Sequence, residues 1–180
     1  MGQYYTAVNV SNMEGVDPYD YDNGAKLMEH SYIRNNFVEA VEFLLIDNGE
    51  GDRGRWSGNK IVWAGDYAND EPLENGNLYS LVENKNKLNM LIEAVPPDYH
   101  YLVNWDKKEY VDKTKCLENK HGFTIHPLPL LTVEGNGRGS GDYYDNAEPS
   151  YVGTWARDRI SLMKEIPEDF TEIIPNFDEN

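Results

Sequence analysis

Cysteine is almost missing from this chain: Cys116 stands alone. A single thiol excludes an internal disulfide and any zinc site built from several cysteines, and it suits a reducing compartment. Histidine is sparse too. His30, His100, His121 and His126 include no pair spaced i, i+4, so no helical zinc-ligand motif is present and no metal is expected. No apolar run approaches the length that spans a bilayer, and no secretory signal opens the sequence, which points to the cytoplasm rather than a membrane. Positive charge is also in deficit: 16 Lys and Arg face 32 Asp and Glu, a net charge of -16. The excess is spread over both halves of the chain. Such a surface repels duplex DNA and anionic lipid and favours basic partners.

Aromatic residues, 12% of the chain, are plentiful enough for a core in one domain or two small halves. Gln3 to Val10 reads as a strand. Asp17 to Gly24 is an acidic turn, and Tyr19 and Tyr21 fall where an EF-hand loop needs carboxylates, so calcium is not indicated. Asn36 to Ile46 has helical periodicity in Phe37, Val38, Val41, Leu44 and Leu45, with Asn36 as the cap. Leu78 to Ile92 is a second helical segment. Tyr99 to Trp105 and Glu109 to Val111 form a hairpin. Leu128 to Val133 and Tyr151 to Trp155 read as further strands, with Pro127 and Pro129 placing the former at a sheet edge. Apolar residues in the tail, Phe170, Ile173, Ile174 and Phe177, are expected to pack back on the body.

Several blocks recur in the same order. Tyr4, Val8-Asn9 and Val16-Asp17 match Tyr99, Val103-Asn104 and Val111-Asp112. Leu44-Leu45, Gly49 and Gly51 match Leu130-Leu131, Gly135 and Gly137. Trp63-Ala-Gly-Asp66 matches Trp155-Ala-Arg-Asp158. This order indicates an internal duplication. The expected fold is α+β: two related β-rich units with one or two packed helices. Residues 1–68 form the first unit, 69–98 a connector with a helix, and 99–180 the second unit, packed together as one compact domain. The second unit is expected to lack the Asn36 helix, and both Trp-Ala-x-Asp tetrads are expected to end strands.

The most unusual run is Gly135-Asn-Gly-Arg-Gly-Ser-Gly-Asp142. Alternating glycines let backbone amides form an anion nest, and Arg138 could add a phosphate contact. The run lacks the lysine of a phosphate-binding P-loop and is not followed by a helix, so it is neither a P-loop nor a dinucleotide fingerprint. The competing reading is a wide loop in which Arg138 and Asp142 pair locally. If the chain is an enzyme, it is a nuclease or phosphodiesterase with His126, Glu134, Arg138 and Asp158 as candidate catalytic groups. Residues for a ligand or partner are Arg53, Asp66, Asn136, Arg138, Asp142, Tyr143, Arg157 and Asp158. No cofactor is implied.

MGQYY at the start, WAGDY at 63–67, GNGRGSGDYY at 135–144 and VGTWARDRIS at 152–161 resemble an uncharacterised family of small proteins from Firmicutes and their phages. The resemblance brings no catalytic residue with it. In size and acidity the chain is also similar in kind to phage inhibitors of host nucleases, including anti-CRISPR proteins. Three functions follow as expectations: an acidic interaction protein that binds a basic nucleic-acid-binding protein, a phosphodiester- or nucleotide-acting enzyme centred on 134–158, and a nucleotide-binding sponge.

Overall fold

The computed structural model describes residues 1–83, 86–88, 94–143 and 150–177. Its α+β architecture is a single mixed sheet with helices on both faces. The strands are β1 (Tyr5–Asn9), β2 (Glu14–Val16), β3 (Ile46–Asp47), β4 (Asn59–Gly65), β5 (Tyr101–Asn104), β6 (Glu109–Asp112), β7 (Val133–Glu134), β8 (Asp158–Met163) and β9 (Thr171–Glu172). The helices are α1 (Leu27–His30), α2 (Asn36–Leu45), α3 (Leu78–Glu83) and α4 (Pro127–Thr132). The main strand order is β2-β1-β4-β8-β5-β6-β9, with β3 added to β8 and β7 added to β4.

Alternation along the strands sends side chains to two cores. Tyr5 and Ala7 of β1, Ile61 and Trp63 of β4, and Ile160 and Leu162 of β8 face the larger core with α2 and α4. Val8, Val62 and Ala64 face the other way, against Leu78 and Val82 of α3. Trp56, Trp63 and Trp155 are completely buried. Helix α2 buries Phe37, Val38, Val41, Leu44 and Leu45 as its periodicity predicts. Its cap is Asn35 rather than Asn36: the Asn35 side chain accepts from the amides of Phe37 and Val38. In the tail, Ile173 and Phe177 are buried and Phe170 packs edge-on against Trp105, 5.4 Å between rings.

Two expected strands are not strands. Leu128 to Val133 is mostly α4, with only Val133 entering β7. Pro127 supplies the first helical position, where its missing N–H is no loss, and the His126 ring accepts the Leu128 amide as the cap. The second half therefore does carry a helix before its short strand. Tyr151 to Trp155 is a run of turns. Of the expected Leu78–Ile92 helix, Leu78–Glu83 is helical, and much of the remainder falls outside the described residues.

One arrangement of strands and hydrogen bonds occurs twice. Hairpin β1–β2 pairs Ala7 with Val16, and hairpin β5–β6 pairs Leu102 with Val111. Asn9 Oδ1 accepts the Asn12 amide at 3.1 Å, and Asn104 Oδ1 accepts the Lys107 amide at 3.0 Å. Met13 and Lys108 both hold φ near 53°. The first strand of each hairpin runs antiparallel to a long strand, β1 to β4 and β5 to β8. The long strands meet antiparallel at the centre, Asn59 opposite Ile160 and Ile61 opposite Asp158. Trp56 Nε1 donates to Glu14 at 2.9 Å, and Trp155 Nε1 donates to Glu109 at 2.8 Å. On this register Trp155 corresponds to Trp56, and Trp63 to Leu162. The expected match of the two tetrads thus fails. Trp63 lies inside β4, whose end Asp66 follows, whereas Trp155 precedes β8, which Asp158 opens.

The outer edges are covered alike. Gly15 on β2 exchanges hydrogen bonds with Asn86 and Leu88, at 2.9 and 2.8 Å. The β6 edge pairs in parallel with β9, continued by the Ile173 amide on Tyr110 O at 2.9 Å.

Candidate functional site

The glycine loop after β7 folds over the N-terminal segment. The Ser140 amide donates to Met1 O at 3.0 Å, and the Gln3 amide donates to Ser140 O at 3.2 Å. Two of its glycines are there for close approach. A Cβ at Gly139 would lie 2.5 Å from Gln3 Cβ, and one at Gly135 would lie 2.6 Å from Gln3 Nε2. The loop is thus shaped around Gln3, which is completely buried and whose side-chain carboxamide has no hydrogen-bond partner among the described residues.

The anion nest exists, and the chain itself fills it. Asp142 is 1% exposed. Its Oδ2 accepts the backbone amides of Arg138 at 2.8 Å and Gly139 at 2.9 Å, and its Oδ1 accepts the Tyr5 hydroxyl at 2.5 Å. Arg138 and Asp142 do pair locally, but through the arginine's backbone. The guanidinium turns away and donates from Nη1 to Tyr67 O at 2.7 Å and to Asn69 Oδ1 at 3.0 Å. Asn136 clasps the loop's far end, donating to Tyr143 O at 2.6 Å and accepting the Tyr143 amide at 2.9 Å. Tyr143 itself is buried against Phe177.

Beside the loop lies a cleft of about 340 Å³, lined by residues 68–72 and by Glu134, Gly135, Arg138 and Arg157. Arg157 is held between two carboxylates: Nε donates to Glu134 at 2.5 Å and Nη1 to Glu71 at 2.9 Å. The hydrogen bonds it donates to Glu71 and Glu134 push the arginine's pKa up, and Arg157 in turn pulls the Glu71 carboxyl down. A carboxylate in such a pair is a poor general base, and a neutralised guanidinium is a poor phosphate ligand.

The remaining candidates disperse. His126 belongs to a different cavity, of about 400 Å³, beyond the other end of α4. There its Nε2 meets Glu42 at 2.7 Å while its Nδ1 accepts the Leu128 amide at 3.1 Å, which fixes the proton on Nε2. Lys113 joins the same Glu42 oxygen at 2.5 Å. Burial alone would raise the Glu42 pKa, but its electrostatic and hydrogen-bonding interactions with Lys113 and His126 bring it down to about 2. Asp158 accepts Asn104 Nδ2 and Lys107 Nζ, both at 2.8 Å, and so locks β8 to the β5–β6 turn. Asp66 accepts the Tyr4 amide at 3.0 Å, and Arg53 pairs with Asp47 at 3.0 Å. The structure therefore assembles Glu134, Arg138 and Arg157 around one cleft and leaves His126, Arg53, Asp66 and Asp158 elsewhere. The Glu42–His126–Lys113 cluster joins residues far apart in the chain and forms no motif. Its signal in the sequence was only a glutamate on the apolar side of a predicted helix.

Among the described residues no group of three His, Cys, Asp or Glu is placed to hold a metal ion, and no helix is long and apolar enough to cross a membrane. Comparison with protein families, with curated proteins and with solved structures finds no match to this chain.

Proposed function

We propose that this chain is an acidic interaction protein that binds a basic nucleic-acid-binding protein in the bacterial cytoplasm, as a phage-borne inhibitor of a host nuclease of the anti-CRISPR kind would. The observation that carries this reading is the Asp142 carboxylate seated in the glycine-loop nest. The amides that would greet a phosphate are already bonded to an internal anion, and Arg157 beside them is neutralised by Glu71 and Glu134. The enzyme and sponge readings both need those groups free. What the surface offers instead is a carboxylate excess, net charge -16, which suits a cationic protein and makes association fall with salt.

The test is a capture from a Firmicute lysate with salt elution, run beside RNA-cleavage and nucleotide thermal-shift assays. Retention of a nuclease released by moderate salt, with no turnover and no shift, is the expected result. RNA cleavage abolished by Glu134→Gln in a folded protein would return the function to the cleft.

The doubled arrangement of hairpins, Trp–Glu bonds and edge segments supports a second part of the proposal: the chain descends from a tandem duplication. The boundary then falls later than residue 68, because residues 86–88 serve the first half as 171–173 serve the second.

A further inference from the structure

Tyr4 and Tyr19 are the only exposed aromatic side chains among the described residues, 39% and 58% exposed. Every other described Phe, Trp or Tyr is at least partly buried. The two sit among carboxylates that also hold their backbones. Asp66 accepts the Tyr4 amide at 3.0 Å and donates its own amide to Tyr4 O at 2.9 Å. Asp17 accepts the Tyr19 amide at 3.0 Å and caps that turn. Helix α3, which packs on β1 and β2, brings Tyr79 and Glu83 to the same region. The Tyr79 hydroxyl has its pKa raised by burial and then by Glu83, Asp17, Asp66 and Tyr19, and Tyr19 is raised by burial and then by Tyr4, Asp17, Glu29 and Asp66. The antiparallel register of β1 and β2 brings the start of β1, just after Tyr4, and the end of β2, just before Asp17, to the same end of the sheet beside α3, so these groups share one neighbourhood. It already holds one cation of the chain's own, the Lys87 ammonium on Asp17.

We propose that the face formed by Tyr4, Tyr19 and Tyr79 with Asp17, Asp66 and Glu83 is the docking surface for an arginine-rich segment of a protein partner. The face deepens the interaction reading above and rests on it. Tyrosine rings offer guanidinium groups a π-face, and flanking carboxylates accept their forked N–H donors. Tyrosine is also one of the residue types enriched among interface anchors. Lys87 marks where the first incoming cation would bind, by exchange with a lysine.

The experiment is a fluorescence-anisotropy titration of labelled nona-arginine peptide at low and physiological salt. It compares the wild type with Tyr4→Ser/Tyr19→Ser, Tyr19→Ser alone, Tyr4→Phe/Tyr19→Phe, and Glu165→Gln/Glu168→Gln as a control for charge elsewhere. The double serine variant is expected to bind about tenfold more weakly, two ring contacts' worth, with the phenylalanine pair near wild type. The control pair is expected to change affinity by less than about twofold. Should the double variant not fold, Tyr19→Ser in its exposed turn carries the same comparison. Equal weakening by the serine and control pairs, or none by the serine pair, overturns this face while leaving an acidic interaction protein standing. Absence of peptide binding by the wild type even at low salt overturns both.

Discussion

Glu42 sits with 3% of its side chain exposed, sharing one oxygen between Lys113 and the His126 ring. Its pKa is lowered from 4.5 to about 2, so its contribution to stability is complete above 4.5 and drains away as pH falls toward 2. His30 acts in a higher window. Burial lowers its pKa from 6.5 to about 4 against the opposing bond to Gly24 O, while its Nε2 accepts Trp63 Nε1 at 2.9 Å. The unfolded chain takes up that proton first, so stability declines from pH 6.5 down to about 4 and levels off below. Urea titrations across pH should show the two declines in succession. Glu42→Gln is expected to cost about 3 kcal/mol at pH 7 by stranding the Lys113 charge, and to flatten the lower window. His30→Gln should flatten the upper one.

Gly54 and Gly153 each stand two residues before a buried tryptophan, Trp56 and Trp155, and each presses against the end of a helix or its following strand. A Cβ at Gly54 would lie 2.2 Å from Leu44 O, and one at Gly153 would lie 2.9 Å from Val133 O at a φ of 75°. Alanine at either place should cost roughly 2 kcal/mol or more in chemical denaturation. Gly137→Ala, with a φ of 87° but nothing within 4 Å, should cost only about 1 kcal/mol. At this scale the sequence was legible where periodicity and turn chemistry agreed, as in the two hairpins and α2. It misled at Leu128–Val133, because a short apolar run has no period of its own and Pro127 marks a helix start as readily as a sheet edge. It misled again at Trp155. Identical letters drew the two tetrads together, whereas the partner that defines the position is Glu109, matched by Glu14 for Trp56. The glycine loop showed its backbone geometry but not that Asp142 would occupy it, since nothing local says which carboxylate turns inward.

The two long strands, β4 and β8, join the halves through one continuous ladder, so the outermost strands on each side are the places where the sheet could grow. Both are closed by a few residues of extended chain, 86–88 on β2 and 171–173 on β6. Each segment sends one apolar residue toward the core, Leu88 and Ile173, and its backbone uses up the hydrogen-bonding groups that a neighbouring molecule would seek. Near the isoelectric point of about 4.5, charge repulsion no longer keeps copies apart. Removing residues 168–180 should then turn β6 into a template, read as light scattering and thioflavin fluorescence that rise with concentration while the full chain stays clear. In that light the short tail is a guard against fibre growth, protecting the molecule from itself in the pH range where its acidity ceases to do so.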